Sequence, residues 1–295
     1  MKALFRTFFN KTQAPVIDKL NNLNDLIHYQ MVLSNGFSRA AATIHSRVIN
    51  ESNPLTWEFS AFSQSGEDGI IDYLISQLTN SNRYFIEIGA ANGIENNTAW
   101  LAHAKKFSGL MIDGNPYAIS VAKSIATPFM DVAHLFVNAD NIQELRNLAV
   151  LDNPDVFSLD IDGNDYYIVK AILQGKFKPK VFVVEYNSAY GPSASKTIKY
   201  AADFNINKAH PSYLYYGVSI AGWKTLFEQF GYQFVTVDSN GVNAFFIDPT
   251  QFNSNFTKQI KGLPFAENSY QLRKFKFGWE KQFELISDMN FFDIK

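Results

Sequence analysis

The sequence predicts an α/β protein with a Rossmann-like, mostly parallel sheet, closed by an antiparallel C-terminal hairpin and preceded by an N-terminal helical extension. Three observations predict it. Five short apolar runs, each ending at or near an acid or a glycine, recur between residues 85 and 185 with helical segments between most of them, as in a doubly wound sheet. Two more apolar runs flank Asp238-Ser239-Asn240-Gly241, and Asn-Gly in that setting signals a hairpin because both residues tolerate positive φ. Ahead of them, Val16, Leu20, Leu23 and Ile27 recur at spacings of four and three, one apolar stripe of a helix.

Residues 1–55 form the helical extension. The stripe gives a first helix, Asn35-Gly36 is expected to break it, and Phe37–Ile49 forms a second helix ended by Asn53-Pro54. The stripe is shorter than the three or four heptads of a coiled coil. It is read either as a cap on the main domain or as an arm for a homodimer. Residues 56–295 form the Rossmann-like domain. Its parallel strands are expected at 85–88, 110–112, 135–137, 156–159 and 181–184, each rich in β-branched or aromatic residues, as in strands covered on both faces. Asn141–Val150 and Tyr166–Leu173 read as helices, and 232–237 with 242–247 as the hairpin. The polar, tyrosine-rich stretch 187–217 has no period. Long connections in compact domains are commonly functional, so it is read as an insertion covering the substrate. Residues 249–295 carry Phe-rich helical patches and no chemical motif.

Composition narrows the function. Of 295 residues, 46% are hydrophobic and 18% charged, a soluble globular balance. The 27 Phe and 14 Tyr fit an aromatic core, or alternatively an apolar groove or oligomer face. A net charge of −2 with no Lys/Arg run argues against nucleic acid as a partner. The absence of cysteine excludes disulfides, thiolate nucleophiles and Cys-type zinc sites, and fits a reducing compartment. The first residues carry Lys2, Arg6 and Lys11 and lack a cleavage site, and no apolar run is long enough to span a bilayer. A cytoplasmic protein without a transmembrane anchor is therefore expected. None of the five histidines stands at His-x-x-x-His spacing, which disfavours a histidine zinc site.

In open α/β sheets ligands bind beyond the carboxyl ends of the strands. The first strand runs into Glu87-Ile88-Gly89-Ala90-Ala91-Asn92-Gly93, where small residues let the backbone approach a ligand. The spacing is Gly-x-x-x-Gly, not the Gly-x-Gly-x-x-Gly that cradles a pyrophosphate, so a cofactor without pyrophosphate fits better. Glu87 is placed to meet a cationic amino group. Asp113, 20 residues beyond Gly93, stands where an acid accepts from ribose hydroxyls, and Asp140 where one could accept from an adenine amino group.

These segments resemble a known family. Phe62-Ser63-Gln64-Ser65-Gly66-Glu67-Asp68-Gly69-Ile70-Ile71, the glycine loop with Glu95-Asn96-Asn97-Thr98, and Gly109-Leu110-Met111-Ile112-Asp113-Gly114 come first. Phe157–Asp165, which includes Asp160-Ile161-Asp162-Gly163-Asn164-Asp165, and Val183-Val184-Glu185-Tyr186-Asn187 follow. Together they resemble the FkbM-like class I S-adenosylmethionine-dependent methyltransferases, many associated with bacterial surface polysaccharides, over roughly residues 60–250. Ala91 stands where the wider superfamily commonly has glycine. The resemblance implies S-adenosylmethionine as cofactor, held by Glu87, Gly89, Gly93, Asp113 and Asp140, with Gln64, Glu67 and Asp68 as cofactor or acceptor contacts. A helix N-cap at Ser65 is the structural alternative for that last group. The resemblance makes a sugar hydroxyl, on a surface-polysaccharide building block or nucleotide sugar, the expected acceptor.

A hydroxyl needs a base or a metal before it attacks. Asp160, which also borders the cofactor site, lies with Asp162 and Asp165 after the fourth strand, and Glu185 and Asn187 lie after the fifth. Oxygen ligands from adjacent strand ends can converge on Mg²⁺ or Mn²⁺, with Asp160, Asp162 and Glu185 as the set. Alternatively Asp162 and Glu185 act as base and hydrogen-bond acceptor without metal, or Asp160 caps a helix while Asp165 is solvated. His210, in the insertion, is the one histidine considered as a base. A nicotinamide-dependent oxidoreductase and a non-catalytic scaffold are the competing readings. The missing pyrophosphate loop and the hairpin weigh against the first, and the row of acids against the second.

Overall fold

The structure is a computed structural model that describes residues 2–295. Its first element is one continuous helix, α1 (Lys2–Ile44), not two. The break expected at Asn35-Gly36 does not occur, for a packing reason. Gly36 is buried against Phe62, where an added Cβ would lie 2.5 Å from a ring carbon. Ala40, one turn on, packs with Phe59, Ala61 and Phe62. The glycine lets the helix lie close on the domain, and this contact offsets the ~1 kcal/mol that a helical glycine costs. Val16, Leu20, Leu23 and Ile27 of the same helix remain about half exposed.

A turn at Pro54–Thr56 leads to α2 (Glu67–Ser76), whose N-cap is Gly66 rather than Ser65. The chain then alternates: β1 (Tyr84–Ile88), α3 (Ala99–His103), β2 (Ser108–Asp113), α4 (Pro116–Ile125), β3 (Met130–His134), α5 (Ile142–Leu148), β4 (Val156–Leu159), α6 (Asp165–Gln174) and β5 (Val181–Glu185). After β6 (Lys196–Ile198), α7 (Ile206–Ala209) and α8 (Ile220–Gln229) comes the hairpin β7 (Gln233–Val237) and β8 (Asn243–Ile247). The central sheet has the order β3-β2-β1-β4-β5-β8-β7, with β8 antiparallel to both its neighbours. This is the class I methyltransferase type of Rossmann-like sheet expected from the hairpin, since β8 inserts between β5 and β7. In the turn, Gly241 takes positive φ (+73°) but Asn240 does not. The Asp238 carboxylate sets the turn instead, accepting from the backbone N–H groups of Asn240, Val242 and Asn243.

Side chains alternate across the sheet as period 2 requires. Ile86, Ile88, Phe157, Phe182 and Phe246 face one core with α6 and α8; Phe85, Met111, Val183 and Phe245 face the other with α2. The third strand is displaced from its expected place. β3 is Met130–His134, and Leu135–Val137 lies beyond its end. As an edge strand pairing only with β2, β3 is half-exposed and mixed in composition, so the apolar run that follows gave the stronger strand signal. That run is apolar because Val137 is buried in the core and Leu135 packs against it.

The C-terminal segment, which carried no motif, builds a roof with the insertion. It comprises α9 (Ser254–Gln259), α10 (Ser269–Phe275), α11 (Trp279–Glu284) and β9 (Phe291–Asp293). β9 pairs antiparallel with β6, and Tyr190, Ile198, Leu214 and Tyr215 pack with Phe275, Phe283, Ile286 and Phe291. The stretch 187–217 is thus a folded layer and not a loose loop. Among the described residues, no helix is long and apolar enough to cross a membrane.

Candidate functional site

The strand order reverses direction between β1 and β4, the place where open α/β sheets leave a crevice. A cleft of about 510 Å³ opens there, within the range of small-molecule sites. Gly89, Ala91, Asp113, Phe136, Asp160 and Asp162 are among its walls. Gly89 sits under it with φ +82°, and an added Cβ would lie 1.7 Å from the Asp160 carbonyl oxygen. Glycine is thus required where the ends of β1 and β4 meet. The N–H groups of Gly89 and Ala90 both donate to the Ile112 carbonyl, at 2.9 and 3.0 Å, which turns the chain sharply past β2. Gly93 (φ +75°) shapes the same turn from below, its Cβ position 3.2 Å from Met111 Sδ, without lining the cleft.

Asp113 closes the turn from the neighbouring strand end. Its Oδ2 accepts from Ala91 N–H at 2.8 Å and its Oδ1 from Asn115 N–H at 2.7 Å. Ala91 itself has φ +47°, a left-handed conformation that disfavours a Cβ. Asn115 in turn caps α4, accepting from Tyr117 and Ala118 N–H ahead of Pro116. One carboxylate therefore fixes the glycine loop and the start of α4 at the wall of the cleft. Phe136 stands beside it, 60% exposed and touching Gly114, an open aromatic face on which a base can stack.

Beyond β4 and β5, carboxylate oxygens of Asp160, Asp162 and Glu185 lie within 4.8 Å of one another. The Asp160 and Glu185 carboxyls lie close enough to perturb each other. Burial first, then the charges of Asp162 and Asp165, pushes the Asp160 carboxyl up to about 8, and burial with the Asp160 charge raises Glu185 well above the usual range. Such a cluster cannot be fully ionised without a counter-cation. Asp162, at φ +55°, is the most exposed of the three. Asp165 is neither solvated nor a member of the set. It is buried and accepts from Ile161 and Gly163 N–H, holding the loop that carries Asp160 and Asp162. Asn187 is likewise spent on structure, its amide donating to the Leu214 and Tyr216 carbonyls.

A smaller cavity of about 50 Å³ adjoins the cleft, sharing Gln64, Gly89, Glu95 and Asp160 and adding Glu67, Glu87 and Asn243. Glu87 is 3% exposed, and burial pushes its carboxyl up to about 7. Both its oxygens already accept, from Asn97 N–H at 3.0 Å and from Thr98 N–H at 3.1 Å and the Thr98 hydroxyl. It braces the 95–98 loop more than it reaches for a ligand. Glu67 accepts from the Asn243 amide at 3.0 Å. Asp68 is structural, one oxygen receiving the N–H groups of Ala61, Phe62 and Ser63 at 2.7–2.8 Å.

No family model and no curated protein matches the chain. Solved structures do show similarity. The CurJ carbon methyltransferase is 12% identical over 80% of this chain and 70% of its own, with a TM-score of 0.42. An O-methyltransferase from Bacillus cereus, solved in complex with SAH, is 15% identical over 74% and 88%, with a TM-score of 0.41. The N-terminal domain of EvdMO1, solved in the presence of SAH and D-fucose, is 10% identical over 61% and 80%, with a TM-score of 0.39. Similarity this low carries no inference about chemistry, which rests on this chain's own residues.

Of the residues singled out from the sequence, Gln64, Glu87, Gly89, Asp113, Asp160 and Asp162 line one or both cavities, and Glu185 joins through the acid cluster. Two do not. Asp140 is exposed, away from both cavities, because β3 ends at His134 and not near residue 140; Leu135–Val137 takes the place beside the cleft. His210 lines neither cavity, and its Nδ1 is paired with the Ser212 hydroxyl at 2.8 Å in a local turn. Residues the sequence reading passed over are Phe136, Phe204, Asn243 and, as a wall of both cavities, Glu95. Phe204 comes from the insertion and covers Gly163, where an added Cβ would lie 2.7 Å from its ring. Only the strand displacement could have exposed Phe136; nothing local marks Phe204 or Asn243.

Proposed function

We propose that this chain is an S-adenosylmethionine-dependent O-methyltransferase acting on a sugar hydroxyl, with help from a carboxylate base or a divalent ion. The observation that carries this reading is the cleft at the strand switch point, where the Gly89–Ala91 turn is held by Asp113 and no pyrophosphate-binding glycine pattern is present. Asp113 would hold the ribose hydroxyls, Phe136 the adenine face, and Gln64 with the Gly89 turn the amino-acid end. S-adenosylmethionine, when bound there, would supply a sulfonium methyl group open to in-line attack by an oxygen nucleophile, with S-adenosylhomocysteine as the leaving group. The acid-lined walls suit a ligand of net positive charge.

The acceptor hydroxyl must lose its proton as the O–CH₃ bond forms and the S–CH₃ bond breaks. Asp162, exposed at the cleft, would take that proton. Asp160, Asp162 and Glu185 would also hold Mg²⁺ or Mn²⁺, because an all-carboxylate set suits a hard cation and the cation relieves their mutual repulsion. The ion would lower the pKa of the acceptor hydroxyl. The resemblance to FkbM-like enzymes supports a surface-polysaccharide building block or nucleotide sugar as acceptor, and a cytoplasmic setting. The half-exposed stripe on α1 supports pairing of two chains through that helix.

Calorimetric titration with S-adenosylhomocysteine and with NAD⁺, with and without Mg²⁺, tests the reading. Saturable binding of S-adenosylhomocysteine alone supports it. Binding of NAD⁺ instead indicates an oxidoreductase, and binding of neither indicates a scaffold.

A further inference from the structure

Among the described residues that line the cleft, Phe136 and Phe204 are the aromatic ones. They touch different loops. Phe136 meets Gly114, next to Asp113 at the end of β2, and Phe204 meets Gly163, in the loop that follows β4 and carries Asp160 and Asp162. β2 and β4 flank β1, so the two rings meet loops on either side of the Gly89 turn. Those strand ends are about 10 Å apart, two strand spacings, which leaves room for a nucleoside on one side and a second ligand on the other.

The place of Phe204 is built by the roof and α6 together. Asn164, 7% exposed, donates from Nδ2 to the Ala201 carbonyl at 2.7 Å and accepts from Ala201 N–H at 3.4 Å. One turn along α6 the Tyr167 hydroxyl donates to the Ile198 carbonyl at 3.0 Å and accepts from Tyr200 N–H at 3.1 Å. Phe204 N–H then donates to the Ala201 carbonyl at 3.0 Å, closing the turn that brings the ring back over the acid loop. A Cβ on residue 163 would lie 2.7 Å from its Cδ1 and 3.2 Å from its Cε1, so glycine there lets the ring come down on the loop. On the roof side the ring packs near Tyr215, with centroids 6.3 Å apart. The ring is half-buried and still lines the cleft.

A fixed aromatic face beside carboxylates selects a ligand of two characters. A phosphate would be repelled by Asp160 and Asp162, and a plain alkyl chain would leave them without donors. A pyranose supplies both needs. Its ring face is a sheet of C–H groups, slightly positive, which an aromatic face attracts, and its edge carries hydroxyls that donate to carboxylates.

Resting on the methyltransferase reading, we infer that Phe204 is the acceptor platform: a pyranose stacks by its C–H face on this ring, which turns an edge hydroxyl toward Asp162 and leaves the Phe136 side to the adenosine. Phe204 is then a specificity-determining residue.

The test is saturation-transfer NMR on the full chain saturated with S-adenosylhomocysteine. The probes are the methyl glycosides of D-glucose, D-galactose, D-mannose and L-rhamnose, with glycerol as a polyol that has no ring face. Calorimetry with S-adenosylhomocysteine comes first; no binding would sink the methyltransferase reading and this inference with it. At least one glycoside should show transfer concentrated on the protons of one ring face, and glycerol none. Phe204→Ala and Phe204→Leu should weaken that glycoside about tenfold, while Phe204→Trp keeps it. All three, checked for folding by thermal melt, should bind S-adenosylhomocysteine within about twofold of the parent, because the ring is assigned to the acceptor. Should Phe204→Ala fail to fold, Phe204→Leu and Phe204→Trp carry the comparison. Intact S-adenosylhomocysteine binding with no glycoside signal, or a glycoside held equally well by Phe204→Leu, would overturn the inference and leave the methyltransferase reading standing. Weakened S-adenosylhomocysteine binding in Phe204→Leu would also overturn it, by assigning the ring to the cofactor.

Discussion

Replacing Asp113 by alanine separates ligand binding from scaffold support. In the protein alone the carboxylate accepts two backbone N–H groups, from Ala91 at 2.8 Å and Asn115 at 2.7 Å. Losing hydrogen bonds to a charged acceptor costs ~1.5–3 kcal/mol each where the donors stay dry, and less here because Ala91 and Asn115 are exposed and water can replace the carboxylate. The stability loss should therefore be modest, about 1 kcal/mol. Ribose hydroxyls held by the same carboxylate add charge-assisted bonds worth ~1.5–3 kcal/mol, which is about a tenfold to hundredfold rise in Kd for S-adenosylhomocysteine. Calorimetry gives the Kd, and a thermal melt gives the stability. Asn115→Ala is the control: it removes the α4 cap and should lower the melting temperature while changing Kd less than Asp113→Ala does. A folded Asp113→Ala protein that binds S-adenosylhomocysteine within twofold of the parent would refute the assignment of Asp113 to the ribose.

Other expectations follow from the same geometry. Phe136→Ala should weaken S-adenosylhomocysteine by about 1 kcal/mol or more through lost stacking, with little change in melting temperature because the ring is 60% exposed; an unchanged Kd in calorimetry would remove it from the adenine wall. The raised carboxyls of Glu67, Glu87 and Asp160, at about 8, 7 and 8, bind protons in the folded state that the unfolded chain has released. Their contribution to stability is therefore full below the ordinary carboxyl range and is lost as pH rises through 7 to 8. The melting temperature should fall over that window, and Mg²⁺ or Mn²⁺ should restore more of it at pH 8 than at pH 5.5, an effect absent in Asp162→Asn. A metal effect independent of pH and of Asp162 would count against the carboxylate site. Leu20→Glu or Ile27→Glu on α1 should shift a dimer to monomer in sedimentation velocity, and a monomeric parent chain would end that part of the reading.

The order of strands and helices, the closing hairpin and the acids at the ends of β1, β2, β4 and β5 were legible in the sequence, because each rests on local chemistry. Strands buried on both faces must be continuously apolar, a sharp turn past β1 demands Gly89, and a ligand-facing strand end tolerates a carboxylate. What depended on neighbours was not legible. Asn35-Gly36 reads as a break until Phe62 is seen to need the missing Cβ. Leu135–Val137 reads as a strand until the core takes Val137 and the edge strand is found one step earlier. Glu87 and Asp165 look like ligand groups until their oxygens are seen to be occupied by backbone N–H groups. Asp140 and His210 look available until the fold places them elsewhere. The convergence of Asp160 and Asp162 with Glu185, and of Asn96 with Glu67 and Asn243 from the far hairpin, was decided by tertiary structure alone. Sequence determines what each segment buries and where it turns. Which side chains meet across a cavity is set by how the layers pack, and packing is a property of the whole chain.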